Sequence, residues 1–144
     1  MTIRLRKGEA ADAATVGDIC YRAFNAVAEE HNYRSDFPSP DMAAAFLAGL
    51  ISHEGFFDTV AEIDGRIVGS NFLDERNPIS GVGPVTVDPD LQNDGVGHAL
   101  MQAAMRRSRE RGFAGIRDLS GPVITIAPWL SISVSTPATP SFRA

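Results

Sequence analysis

The chain has one lysine, Lys7, against twelve arginines, and one cysteine, Cys20. A lone thiol closes no internal disulfide, so the fold must rest on its core. Cys20 lies on an apolar helical stripe and reads as a buried structural thiol, with a nucleophile as the alternative. Nowhere is there a run of about 20 apolar residues, the length a membrane-spanning helix needs. Met1-Thr2-Ile3-Arg4-Leu5-Arg6 alternates apolar and charged residues, which does not read as a signal peptide. These absences point to a cytoplasmic protein with no membrane partner. A basic excess is also missing: the net charge of −5 and the pI near 5.1 argue against a nucleic-acid partner, which calls for a cationic face. The three histidines, His31, His53 and His98, are scattered and have no cysteine beside them, so no metal site is expected.

What is present is ordinary for a globular domain: 144 residues, 44% apolar and 22% charged, enough to bury one core. Ile3 and Leu5 alternate with Arg4 and Arg6 as in a half-buried strand. Val16, Ile19, Cys20, Ala23, Phe24 and Val27 then follow helical spacing, with Glu9 and Asp12 at the positive end. His31, Tyr33 and Asp36 fall in a polar loop. Ser39-Pro40-Asp41 supplies an N-cap, a first-turn proline and an acid. The helix after it should turn Met42, Phe46, Leu47, Leu50 and Ile51 inward and stop near His53 to Gly55. Phe57–Ile63 and Arg66–Leu73 read as strands joined by Asp64-Gly65, a hairpin signal. Ile79–Asp88 is a third strand-like run whose Gly81, Gly83 and Pro84 imply a bulge or a close backbone approach. A helix over about Gly95–Arg111 follows, with arginines in its last turn and Gly112 beyond, and Phe113–Leu119 reads as the next strand. The order is β-α-α-β-β-β-α-β: an α+β fold with a mainly antiparallel sheet flanked by helices.

The segment Val85 to Leu100 carries the chemistry. A strand ends at Asp88-Pro89, a loop runs to Asp94, and a helix opens at Gly95. The first amides of a helix have no intrahelical acceptor and sit at the positive end of its dipole, which makes an anion site suited to phosphate. The alternative is a strand–helix turn with no ligand. A dinucleotide fingerprint would need a third glycine where Leu100 stands, and a Walker A loop would need Gly-Lys-Ser/Thr; neither is present. A Rossmann-like nucleotide module is further disfavoured by the antiparallel hairpin.

Val87-Asp88-Pro89 followed by Gln92, Gly95 and Gly97 resembles the acetyl-CoA signature of the GNAT N-acetyltransferases, Gln/Arg-x-x-Gly-x-Gly/Ala after V-x-P. The resemblance covers roughly residues 2 to 119 and implies the three-layer α/β form of that family over 1–119. It implies acetyl-CoA as co-substrate, and transfer of acetyl to a primary amine, on a small molecule or peptide, by direct attack; it also admits a homodimer. Val85 and Val87 would offer backbone groups to the pantetheine arm. Gln92, Asn93, Asp94 and Gly95, with Val96, Gly97 and His98, would wrap the pyrophosphate. The Val87 amide would polarise the thioester carbonyl. Glu75, after the third strand, is the candidate general base through water. Asp94 and His98 stand where many members carry Arg or Lys, and Asp94 is read as a helix cap.

The family's ending is missing. From Ser120 to Ala144 there is no Asp, Glu or Lys, and no tyrosine follows Tyr33, whereas members usually carry a terminal helix with a tyrosine that protonates the departing thiolate. Residues 120–144 therefore read as an atypical Ser/Thr/Pro-rich tail, in which Val123–Ile126 and Ile132–Val134 suit strands. Ile126 to Pro140 admits codons whose shifted frame spells a sequence like the family's last helix; sequencing the gene decides that. The competing functional reading is a GNAT-like remnant that binds CoA without efficient transfer.

Overall fold

The fold is that of a computed structural model, which describes residues 2–30, 32, 37–91 and 94–118. The expectations placed on His31, Tyr33, Asp36, Gln92, Asn93 and residues 119–144 lie outside the described residues. The elements are β1 (Ile3–Arg6), α1 (Ala13–Glu30), α2 (Pro40–Ser52), β2 (Phe56–Ile63), β3 (Arg66–Asp74), β4 (Ile79–Val87), α3 (Val96–Glu110) and β5 (Gly115–Asp118). Short 3-10 turns at Ala10–Asp12 and Pro89–Leu91 precede α1 and α3. The sequence order is thus the one expected.

One five-stranded sheet runs β1-β2-β3-β4-β5. The first three pairings are antiparallel and β4–β5 is parallel, because α3 carries the chain back across the sheet before β5 begins. The β2–β3 hairpin closes through Asp64 (φ 54°) and Gly65 (φ 77°), the two positive φ angles of a type I′ turn.

Strand alternation divides the apolar residues between two faces. Val60 and Phe72 pack with Val16, Cys20, Phe24 and Leu47 under α1 and α2. Ala61, Val68 and Leu73 pack with Leu100, Met101 and Ala104 of α3 on the other side. On β4 the phase would slip, since Val82 and Val85 are three apart. The ladder takes up the difference: Leu73 pairs with Val82 but Asn71 with Val85, two residues on β3 against three on β4. This bulge at Gly83-Pro84 keeps Val82, Val85 and Val87 all on the α3 face.

One feature differs from expectation. Met42 and Phe46 of α2 are exposed, and the buried residues are Ala43 and Leu47. Helix α2 is apolar on nearly every side, so spacing alone did not select its inner face. Helix α1 buries Val16, Ile19, Cys20, Ala23 and Phe24 as its stripe implies, and Cys20 is a fully enclosed core thiol. Among the described residues no helix is long and apolar enough to cross a membrane.

Candidate active site

The outer edge of β4 is where the regular sheet gives way. Strand β5 pairs with Ile79 to Val82, and among the described residues nothing pairs with Val85 to Val87 on that side. The hydrogen-bond phase of the β3–β4 ladder decides which way these groups point. Asp88 N–H donates to Val68 O at 2.8 Å. Bonded and non-bonded pairs alternate in an antiparallel ladder, so with Thr86 opposite Ser70 the next bonded residue is Thr86. Val85 and Val87, opposite Asn71 and Gly69, therefore turn their N–H and C=O groups away from β3, toward the open edge.

Helix α3 begins beside this edge. Its N-cap is Gly95, left-handed at φ 83°, a conformation that costs a residue with a Cβ. Ala99 N–H donates to Gly95 O at 3.0 Å, the first bond of the helix. The amides of Val96, Gly97 and His98 consequently have no acceptor in the helix. Val96 and Gly97 are buried while Asp94 and His98 are exposed. His98 Nε2 lies 3.2 Å from Gln102 Nε2. The capping role expected of Asp94 is corrected: the cap residue is Gly95, with no side-chain cap hydrogen bond.

The helix end is seated by its neighbours on β3. A Cβ on Gly69 would come within 2.7 Å of Thr86 O, 3.1 Å of Leu100 Cδ1 and 3.2 Å of Val96 Cγ1, so glycine is what lets α3 lie close to the sheet. Next to it, buried Asn71 donates from Nδ2 to Leu100 O at 3.1 Å, and its Oδ1 has no hydrogen-bond partner among the described residues. Ser70 Oγ and Thr86 Oγ1, both buried, lie 3.4 Å apart.

Asp88, at the exit of β4, is 1% exposed. Burial pulls its carboxyl upward. The hydrogen bonds from Arg22 and Asp90 N–H, with the charges of Arg22 and Arg66, outweigh that and hold it below the usual carboxylate range.

Glu75 stands apart from this group. Asp74 pairs with Gly81 and Gly69 with Val87; at about 3.4 Å per residue, Glu75 lies on the order of 20 Å along the strand from Val87. Its two oxygens accept from Arg107 Nε at 2.8 Å and Nη2 at 3.1 Å, and the Arg107 guanidinium stacks over Phe57 at 4.0 Å. Both carboxylate oxygens are thus committed to a cation inside the fold. Sequence reading brought out Val85, Val87 and Gly95 to His98, which the fold does bring together. It missed Gly69, Asn71 and the Arg22–Asp88–Arg66 cluster, whose partners are far apart in the chain and carry no local motif. Among the described residues no group of three or more His, Cys, Asp or Glu side chains could hold a metal ion.

An open strand edge running into a helix N-terminus, on a sheet with one α3-type crossover, matches a known family. Residues 21–120 fit the model of the acetyltransferase (GNAT) family, and the chain belongs to that family. The fold is shared by a GNAT family acetyltransferase from Brucella melitensis in complex with acetyl-CoA, at 23% identity and a TM-score of 0.61 over 83% of this chain and 77% of that one. A possible acetyltransferase from Clostridium difficile 630 superposes at a TM-score of 0.71, with 16% identity over 94% of this chain and 91% of the other. AAC(6')-Iy, bound to the bisubstrate analogue CoA-S-monomethyl-acetylneamine, gives a TM-score of 0.68 at 13% identity over 93% and 90% of the two chains. No curated protein matches this chain in sequence.

Proposed function

We propose that this protein is an N-acetyltransferase that moves acetyl from acetyl-CoA to the primary amine of a small molecule or peptide. The observation that carries the proposal is the phase of β4, which turns the N–H and C=O groups of Val85 and Val87 to an edge that is open among the described residues, beside the first turn of α3, whose leading amides have no acceptor within the helix. An extended amide-bearing arm such as pantetheine fits that edge as an added strand. A pyrophosphate fits the helix end, where the dipole and three amides favour negative charge. In this reading Gln92, Asn93 and Asp94 belong to the same loop, and Gly95, Val96, Gly97 and His98 form the helix opening. The acyl-CoA-binding domain is 1–119, with 120–144 as a tail.

The Val87 amide is assigned to the thioester carbonyl, where a fixed donor favours the oxyanion. The neutral amine attacks the carbonyl carbon, the C–N bond forms as the C–S bond breaks, and the proton shed by the nitrogen balances the departing thiolate as free CoA thiol, so most of the rate gain comes from holding two reactants together. Glu75, tied to Arg107, is assigned to structure and not to proton transfer. Structural neighbours with acetyl-CoA or an acetylated aminoglycoside analogue support the choice of co-substrate and of an amine acceptor. A second reading, a CoA-binding protein without efficient transfer, is favoured by the lack of any tyrosine after Tyr33.

Calorimetry with acetyl-CoA, NAD and ATP tests the first step. Acetyl-CoA is expected to bind and the other two not; tight NAD binding with none for acetyl-CoA overturns the assignment. Thiol release over a panel of amines then separates the two readings: release with at least one amine supports the enzyme, and none with any supports the binding protein.

A further inference from the structure

The loop that joins β4 to α3 has no cation of its own: Pro89 to His98 contains Asp90 and Asp94 but no Arg or Lys. The first turn of this loop is tied down by one residue at its start. Asp88 is the last residue before the loop, and its carboxylate is enclosed. Oδ1 accepts from Asp90 N–H at 3.0 Å, which folds the first turn of the loop back onto the strand. Oδ1 and Oδ2 accept from Arg22 Nη1 and Nη2 of α1 at 3.3 and 3.4 Å. Oδ2 accepts from Arg66 Nη2, at the start of β3, at 3.0 Å. The backbone of the same residue adds two more bonds, Asp88 N–H to Val68 O at 2.8 Å and Leu91 N–H to Asp88 O at 2.8 Å. Four parts of the molecule thus meet on one residue: α1, β3, the end of β4 and the loop.

We infer that Asp88 is a positioning residue for the coenzyme site: through Arg22, Arg66 and the Asp90 amide it fixes the loop that presents the first amides of α3. The inference rests on the proposed acetyl-CoA function. The reason is geometric. Charge-assisted bonds to a buried carboxylate are the stronger kind, and groups that orient a binding shell change affinity without touching the ligand. Arg22 is also held at 2.9 Å by Asp18 one helical turn away, so it enters the cluster already oriented. The charges around the carboxylate are Arg22, Arg66, Asp18 and Asp90, two of each sign.

The test uses the full chain with Asp88→Asn and, because that variant leaves two guanidinium groups without their carboxylate, also Arg66→Ala and Arg66→Lys. Arg66 is largely exposed, so its replacement leaves the core intact. Two quantities are read: the Kd for acetyl-CoA per folded molecule, and amide exchange at residues 94–100 compared with the core of β2 and β3. Asp88→Asn is expected to raise the Kd on the order of tenfold and to speed exchange at 94–100 selectively. Arg66→Ala should do the same to a smaller degree, with Arg66→Lys restoring part of the loss. Kd values within twofold of wild type, with exchange raised evenly or not at all, overturn the inference and leave Asp88 a general stabiliser. If the wild-type chain binds no acetyl-CoA, it is the proposed function that fails, and selective exchange at 94–100 still decides whether Asp88 holds the loop.

Discussion

The two halves of β4 are built alike in side chains and differently in backbone. Gly81 and Val82 pair on both sides, with β3 and with β5, while Val85 to Val87 pair with β3 alone among the described residues. Both halves bury valines against α3, so the hydrophobic contribution is shared. What separates them is the bulge at Gly83-Pro84, which lets the second half keep its packing while its edge stays open. The comparison teaches that in this fold stability resides in which face the side chains take, and the proposed recognition in which edge the amides take.

Proline substitution breaks the comparison most directly, because proline removes one N–H and is tolerated only where that N–H is not needed by the sheet. Thr86→Pro, on the bonded side, should cost about 3 kcal/mol or more and leave little folded protein by circular dichroism. Val87→Pro, one residue on, should keep the fold and lose acetyl-CoA binding in calorimetry. If Thr86→Pro folds as well as Val87→Pro, the assigned phase of the ladder is wrong. Gly95→Ala sharpens the comparison at the helix end. Among the described residues nothing lies within 4 Å of the added Cβ, so the left-handed φ of 83° sets the expected cost. A loss of about 1 kcal/mol is expected in urea denaturation.

The smallest effect is expected from acid. Asp12 is held below the usual carboxylate range chiefly by the Arg6 hydrogen bond, Asp74 chiefly by that of Arg76, and Asp88 by the balance described above. Lowered folded-state values mean that these groups stabilise the fold above the unfolded carboxylate pKa of about 3.9. That stabilisation is lost as pH falls through the lower folded values. The melting temperature should stay level from pH 7 to about 5 and fall below about 4. A rise on acidification would contradict the assignment, and Asp88→Asn should flatten the fall in part.

The sequence made the fold legible wherever local chemistry was sufficient. Asp64-Gly65 announced its hairpin, Ser39-Pro40 its helix start, and Gly112, at φ 75°, its helix end. The inner face of α2 was not legible, because a helix apolar all round offers no contrast. In the site, the Val85–Gly97 motif was readable since its residues are adjacent in the chain. Asp88 lay inside that motif, but its meaning depends on Arg22 and Arg66, which the fold brings together over separations of 66 and 22 residues. The ion pair of Glu75 was hidden for the same reason: its partner Arg107 is 32 residues away.

Two contacts made by α3 have a mechanical consequence. Asn71 holds the carbonyl of Leu100, and Phe57 with Glu75 holds the guanidinium of Arg107. These points are seven residues apart, about 10 Å along the axis, so the helix is a beam clamped near both ends. It can neither slide along the sheet nor roll over it. Under the proposed function, an anion arriving at its N-terminal end meets donors whose directions were set during folding, and little further ordering of the protein is left to oppose its capture.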